Sequence, residues 1–368
     1  MIFRSAPNSN RTSLVVNRGM LFLVLLPMKK LVHSLIRMKI RFTGAFGLFL
    51  IAIQGVLCAS GLPPGTGQVA AWGDLNYDLT IVPSRPATRA VAGISAGSFH
   101  SLVLQGDGTL MAWGDNQFGQ TSIPGSAQRG GVVEAVAGNV HNLALLSNGT
   151  VIAWGASGGA AGDYGQCDVP AGLNGVVAVA AGAVHSLALR GDGTVVAWGS
   201  DAFGQCDVPP GLDGVVAIAG GMYHSLALRE DGTVVAWGGD FMGQCDVPPE
   251  LDHVVAIAAG GYHSLVLKDD GTVVFWGGYG LIRGNVPTGL ATVVAIATGD
   301  YHSLALKRDG TVIAWGLNTA GQCEVPSGLR NVALVAARGS HSMVLVEDPS
   351  LLSKATVAPA ASSRTRAK

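Results

Sequence analysis

Short apolar runs of four to seven residues, rich in Val and Ile, recur from residue 66 onward and are bounded by Gly, Pro or Asp. The cleanest copy runs Val215-Val216-Ala217-Ile218-Ala219, then His224-Ser225-Leu226-Ala227-Leu228, then Val234-Val235-Ala236-Trp237, and closes on Gly243-Gln244-Cys245-Asp246-Val247-Pro248. Such runs predict strands, and no stretch is long enough to carry a helical period. Between the second and third runs stands Asp231-Gly232, recurring as Asp107-Gly108, Asp192-Gly193, Asp270-Gly271 and Asp309-Gly310, with Asn148-Gly149 in one copy. Those pairs predict tight hairpins, because Gly accepts the positive φ such a turn needs. The Cys-Asp-Val-Pro run predicts a fourth, edge strand, where Pro is tolerated.

The central runs do not alternate. Val-Val-Ala-Ile-Ala is apolar on both faces, so each small sheet must be covered on both sides. A β-propeller does this by sandwiching each blade between two others, leaving only short edges. An open solenoid would need polar caps at its ends, and none is visible.

The repeat itself is set by tryptophan. Trp72, Trp113, Trp154, Trp198, Trp237, Trp276 and Trp315 are spaced 41, 41, 44, 39, 39 and 39 residues apart and are every Trp in the chain. A fixed period near forty means one unit written repeatedly. The His half of the unit occurs at His100, His141, His185, His224, His263, His302 and His341, and the first six lie 13 residues before a Trp. His341 has no Trp after it and Trp72 has no His half before it. The last half-unit therefore pairs with the first and closes a ring of seven. The expected fold is an all-β, seven-bladed propeller of four-stranded blades, sealed by its terminal strands.

The recurring phrase Gly-x-x-His-Ser-Leu-Ala-Leu, Asp-Gly-Thr-Val, Trp-Gly and Phe-Gly-Gln resembles the regulator of chromosome condensation repeat family over residues 66 to 348. The resemblance implies seven blades. The 39-residue period is similar to a compact bacterial branch that includes a secreted β-lactamase inhibitor.

Composition divides the chain. Residues 1 to 60 hold eight Lys or Arg and no Asp or Glu, and run from basic Met38-Lys39-Ile40-Arg41 through an apolar stretch, Phe46 to Leu57, to Cys58-Ala59-Ser60. That order predicts a secretory signal, with the true start at Met1, Met28 or Met38, and an exported mature chain without a membrane span. A retained anchor helix is the rival reading. The propeller is expected over 61–348 and a disordered Ala/Ser-rich tail over 349–368. Residues 61 to 348 carry 11 basic and 24 acidic side chains, a net charge of −13. A surface so acidic repels phosphate backbones and excludes a nucleic-acid partner.

Chemistry is sparse. Cys167, Cys206, Cys245 and Cys323 fill one slot in four different repeats, too far apart around a ring for a disulfide or a shared zinc, and read as packing residues. A His-Ser pair hints at base and nucleophile, but neighbours on a strand point to opposite faces and seven copies do not make one active site. Each His is expected to bond nearby backbone, and each Trp to be core. No cofactor, metal site or catalytic group is expected.

The aromatic residues vary between copies. One slot precedes the His: Phe99, Val140, Val184, Tyr223, Tyr262, Tyr301 and Ser340; another follows Trp-Gly: Tyr77, Phe118, Tyr164, Phe203, Phe241 and Tyr279. Fixed strands with variable aromatic loops suit a protein-binding surface. The candidate anchors are Tyr223, Tyr262 and Tyr301, with Phe99, Tyr164 and Tyr279 behind them, whereas Phe118, Phe203 and Phe241 read as structural. The sequence thus points to an exported, monomeric, non-catalytic scaffold for an unidentified protein partner. Inhibition of a secreted hydrolase such as a β-lactamase, guanine-nucleotide exchange and glycan binding are the alternatives.

Overall fold

The structure, a computed structural model, describes residues 67–347 apart from 84–89, 157–158, 160–161 and 279–285, together with 51–53 and 56–58. The expected tail, Tyr279 and most of the expected signal lie outside the described residues. Of that signal, Ile51–Ile53 and Val56–Cys58 form two antiparallel strands, with Ile53 in parallel register with Ile257. No helix among the described residues is long and apolar enough to cross a membrane.

Seven sheets follow one another along the chain. Blade 1 comprises Val91–Ala96, His100–Gln105 and Leu110–Gly114; blade 2, Val132–Ala137, His141–Leu146 and Val151–Gly155. Blade 3 comprises Val176–Ala181, His185–Arg190 and Val195–Gly199; blade 4, Val215–Gly220, His224–Arg229 and Val234–Gly238. Blade 5 comprises Val254–Ala259, His263–Lys268 and Val273–Gly277; blade 6, Val293–Thr298, His302–Lys307 and Val312–Gly316. Blade 7 takes Val332–Arg338 and His341–Val346 from the end of the chain and Gln68–Gly73 from its beginning. The predicted closure is present as a six-pair antiparallel ladder, from Val346↔Gln68 to His341↔Gly73. The first strand of each blade touches that of the next, and blade 7 touches blade 1, so the circle is complete.

Among the described residues each blade has three strands of its own rather than the expected four, and the blade 5 sheet is extended by Ile51–Ile53 and Val56–Cys58. The Cys-Asp-Val-Pro run turns instead of pairing: Asp207 N donates to Gly204 O and Val208 N to Cys206 O, which uses up the amides a ladder would need. The hairpins are as predicted. In blade 4, Gly232 has φ +87° and the Asp231 carboxylate accepts the Thr233 amide two residues on, which accounts for Asp-Gly-Thr.

The core lies between blades. Ala178, Ala180, Leu187 and Leu189 of blade 3 pack against Val215, Ile218, Ala227 and Trp237 of blade 4, so each tryptophan covers the preceding sheet. All seven Trp side chains are between 2% and 8% exposed. Trp-Gly, rather than another pair, ends the third strand because Gly238 has φ +102° and a Cβ there would stand 2.7 Å from Tyr223 O.

The histidines lock blade to blade. His141 Nε2 meets Ser186 Oγ of the next blade at 3.1 Å, and the same bond links His185 to Ser225, His224 to Ser264, His263 to Ser303 and His302 to Ser342. His341 closes the series on Ser101, and His100 on Asn142. The expected partner was backbone, and the actual one is a side chain that reaches backbone in turn. Ser225 Oγ donates to Gln205 O at 2.9 Å, so it accepts from His185, which is therefore protonated on Nε2. Trp237 Nε1 donates to the same carbonyl at 3.0 Å. One backbone oxygen thus ties together a Trp and a Ser, and through the Ser a His from the preceding blade. Burial holds the His rings far below their ordinary pKa, at about 3 to 4. They are neutral structural groups, and every one of these hydroxyl and imidazole pairs spans two blades.

Two side chains break the repeat inside the ring. Glu134 stands where blades 3 to 6 have alanine, and its Oε2 accepts the Val179 amide of blade 3 at 3.0 Å. Burial raises its pKa to about 8. An unfolded glutamate ionises near 4.5, so the stability this group contributes is complete below pH 4.5 and is lost as the pH rises to 8. The Glu134→Gln variant keeps the acceptor without the ionisation. It is expected to gain up to roughly 4 kcal/mol over the wild type at pH 8 and little at pH 4.5, as urea unfolding at the two pH values will show.

The second is Arg338. Six copies place glycine three residues before His, and there a Cβ on Gly221 would lie 2.3 Å from the His224 ring. The last copy has Arg338 instead, on a first strand one residue longer than the others. Only 7% exposed, it crosses the ring: Nη1 donates to Ala181 O of blade 3 and Gly220 O of blade 4, and Nη2 reaches Asn139 Oδ1 of blade 2.

Candidate protein-binding face

In every blade the residue that opens the second strand is in register with the glycine that ends the third, as in His224↔Gly238 and His302↔Gly316. The loop before His and the loop after Trp-Gly therefore emerge on the same face. They are also stitched together: Gly239 N donates to Tyr223 O and Leu317 N to Tyr301 O. The Asp-Gly hairpins lie on the opposite face. A buried glutamine holds five of the outer loops in shape: Gln205 Oε1 accepts the Phe203 amide and Gln244 Oε1 the Met242 amide, and Gln120, Gln166 and Gln322 do the same in theirs. This explains the recurring Gly-Gln, a role that its repetition signals but its spacing does not reveal.

On this face the variable aromatic residues converge. The Tyr223 ring lies 5.1 Å from Phe203, 6.1 Å from Phe241 and 6.1 Å from Tyr262, all edge-on. Phe203 and Phe241 are 4.9 Å apart, and Tyr262 stacks on Tyr301 at 5.8 Å. Five rings thus form one continuous array across the loops of blades 3 to 6. Phe203 and Phe241 are 44% and 52% exposed, so the side chains read as structural belong to the surface and only their backbone serves the loop. The three tyrosines are half-buried. Burial raises the Tyr262 and Tyr301 hydroxyls above their ordinary pKa, as does the nearby Asp300 carboxylate.

The other candidates stand apart. Phe99 pairs edge-on with Tyr77 at 5.6 Å on blade 1, and Tyr164 is exposed in the long loop after blade 2 without a ring contact to the array. The Cys thiols are half-buried and unlinked; burial pushes Cys167, Cys206 and Cys245 up to about 12 and Cys323 to about 11. Cys206 Sγ donates to Ser200 O, a packing role as read from sequence.

The repeat phrase matches the family model described as the regulator of chromosome condensation (RCC1) repeat at residues 91–120, 176–205, 215–244, 254–278 and 293–322. The chain belongs to the RCC1 repeat family. No curated protein sequence matches it. Several solved structures superpose over most of its length. Prp20p from Saccharomyces cerevisiae, reported with its binding properties to Gsp1p and histones, is 22% identical with a TM-score of 0.64, covering 80% of this chain and 94% of its own. Yeast RCC1 (Prp20) bound to Kap60 is 21% identical, TM-score 0.63, over 83% and 94%. Human WBSCR16 is 21% identical, TM-score 0.60, over 76% and 98%. At such identities the likeness concerns the fold, and it agrees with the RCC1 phrases read blade by blade.

Proposed function

We propose that this RCC1 repeat protein is an exported, non-catalytic scaffold that binds a protein partner through the face carrying Phe203, Tyr223, Phe241, Tyr262 and Tyr301. The observation that carries this reading is the continuous array of rings on one side of an otherwise uniform ring. Repeated blades need no such array for stability, since blades 2, 3 and 7 place Val140, Val184 and Ser340 in the slot of the three tyrosines. Aromatic side chains offer large apolar area at low entropic cost, and Tyr adds a polar tip, which is why they anchor interfaces. The His-Ser pairs support a non-catalytic role, because the hydroxyls of Ser186, Ser225, Ser264 and Ser342 are each committed to a carbonyl and to a neutral imidazole of another blade. That yeast Prp20 was solved with a protein partner, Kap60, is in keeping with this use of the fold. Export is supported by the basic, apolar, small order of residues 38–60. The test is affinity capture from an envelope extract with the full chain and with a Tyr223→Ala, Tyr262→Ala, Tyr301→Ala variant of unchanged fold, which is expected to lose the partner.

A further inference from the structure

The two faces of the ring differ in how their charge is arranged. On the hairpin face acids are paired with bases: Arg229 with Asp213, Lys268 with Asp252 and Lys307 with Asp309. On the aromatic face no ion pair between side chains occurs among the described residues. Asp201 and Asp240, both exposed, open the loops that carry Phe203 and Phe241. Each spends one oxygen on its own loop, Asp201 Oδ1 on the Cys206 amide and Asp240 Oδ1 on the Cys245 amide, both at 2.8 Å. Asp207 and Asp246, also exposed, close the same two loops. No described Lys or Arg is exposed on this face; Arg338 is buried inside the ring. The array is therefore a strip of π faces flanked by carboxylates that no cation of the described chain neutralises.

We propose that the occupant of this face is a cationic polypeptide segment, with Lys or Arg side chains lying over the rings of Phe203, Tyr223, Phe241, Tyr262 and Tyr301 and their charged heads reaching Asp201 and Asp240. A cation is drawn to a ring face by its quadrupole and to a carboxylate by Coulomb attraction, and here one side chain meets both. The ring centroids, about 5 to 6 Å apart, also suit successive contacts along an extended chain, whose residues advance about 3.3 Å each. An acidic or neutral segment would gain only the ring contacts. The inference rests on the scaffold reading above and names the class of partner.

The test is fluorescence anisotropy of labelled deca-lysine and deca-arginine titrated with the full chain at low salt and at 0.15 M salt, with deca-glutamate and a neutral oligosaccharide as the other arms. Saturable binding of the cationic peptides is expected, weakened at least tenfold both in Tyr262→Ala, Tyr301→Ala and in the surface variant Asp201→Asn, Asp240→Asn, whose fold is not at risk. Binding that both variants retain would reduce the effect to the domain's net charge and overturn the site. Preference for the neutral sugar, or no binding of either cationic peptide, would overturn the class. If the cationic peptides fail while tyrosine-dependent capture of a partner persists, only this inference falls; if both fail, the scaffold reading falls with it.

Discussion

Acidification is expected to unfold the propeller cooperatively between about pH 5.5 and 4.5, with uptake of about six or seven protons per chain. The cause is the ring of seven buried imidazoles, each neutral and each bonded through Nε2 to the next blade. Their folded pKa values, lowered to about 3 to 4 chiefly by burial, lie well below the ordinary 6.5. With a depressed folded pKa, an imidazole binds its proton first in the unfolded chain, so stability falls as the pH drops below 6.5. At pH 5 each unfolded histidine gains about 2 kcal/mol from protonation, roughly 14 kcal/mol over seven. Glu134 works the other way and returns about 2 to 3 kcal/mol between pH 7 and 5. The balance matches or exceeds the whole stability of an ordinary domain, about 5 to 15 kcal/mol. Circular dichroism and Trp fluorescence from pH 8 to 3, with potentiometric proton counting, will follow the transition. Native Trp emission surviving at pH 4 would show that the histidines do not sit buried and neutral as described.

Removing the strand Gln68–Gly73 is expected to abolish the native fold, although it is six residues long. The deletion strips a complete ladder from His341–Val346 and removes Trp72, one of the most buried tryptophans, together with its bond to Gln322 O. Loss of a buried Trp alone costs about 3 to 5 kcal/mol, and several ladder hydrogen bonds add about 1 kcal/mol each. A bare strand edge then invites aggregation. The ladder also indicates a rescue. Val346 and Gln68 are paired, so re-attaching residues 68–73 after Glu347 through an Asp-Gly turn, as in the other blades, is expected to restore a monomeric fold with native Trp emission. A deletion variant that stays folded, or a permuted chain that does not, would contradict closure through these strands.

Much of this architecture was legible before the structure, because a repeat announces which residues are equivalent. The unmatched Trp72 and His341 located the closing ladder, and Asp-Gly-Thr located the hairpins. What repetition cannot show is which side chain of one copy meets which of the next. Ser225 and His224 are adjacent in sequence, yet His224 bonds Ser264 and Ser225 receives His185, a pairing visible only once the blades are arranged. The fourth strand failed for a local reason, since turn bonds claimed its amides. At the candidate site the sequence located Tyr223, Tyr262 and Tyr301 but assigned Phe203 and Phe241 to the scaffold: a backbone phrase can be structural while its side chain faces out. Arg338 and Glu134 were missed altogether, although both are departures from the repeat at positions where other copies are small.

The central claim is that the aromatic face, and not the hairpin face, is the working surface. The decisive measurement is partner capture by three full-length proteins of matched thermal stability: the wild type, the triple Tyr223→Ala, Tyr262→Ala, Tyr301→Ala variant, and a hairpin-face control, Thr194→Ala, Thr233→Ala, Thr272→Ala. Capture by the wild type and the control, lost in the tyrosine variant, is the predicted result. Equal capture by all three, or loss in the control alone, would contradict it.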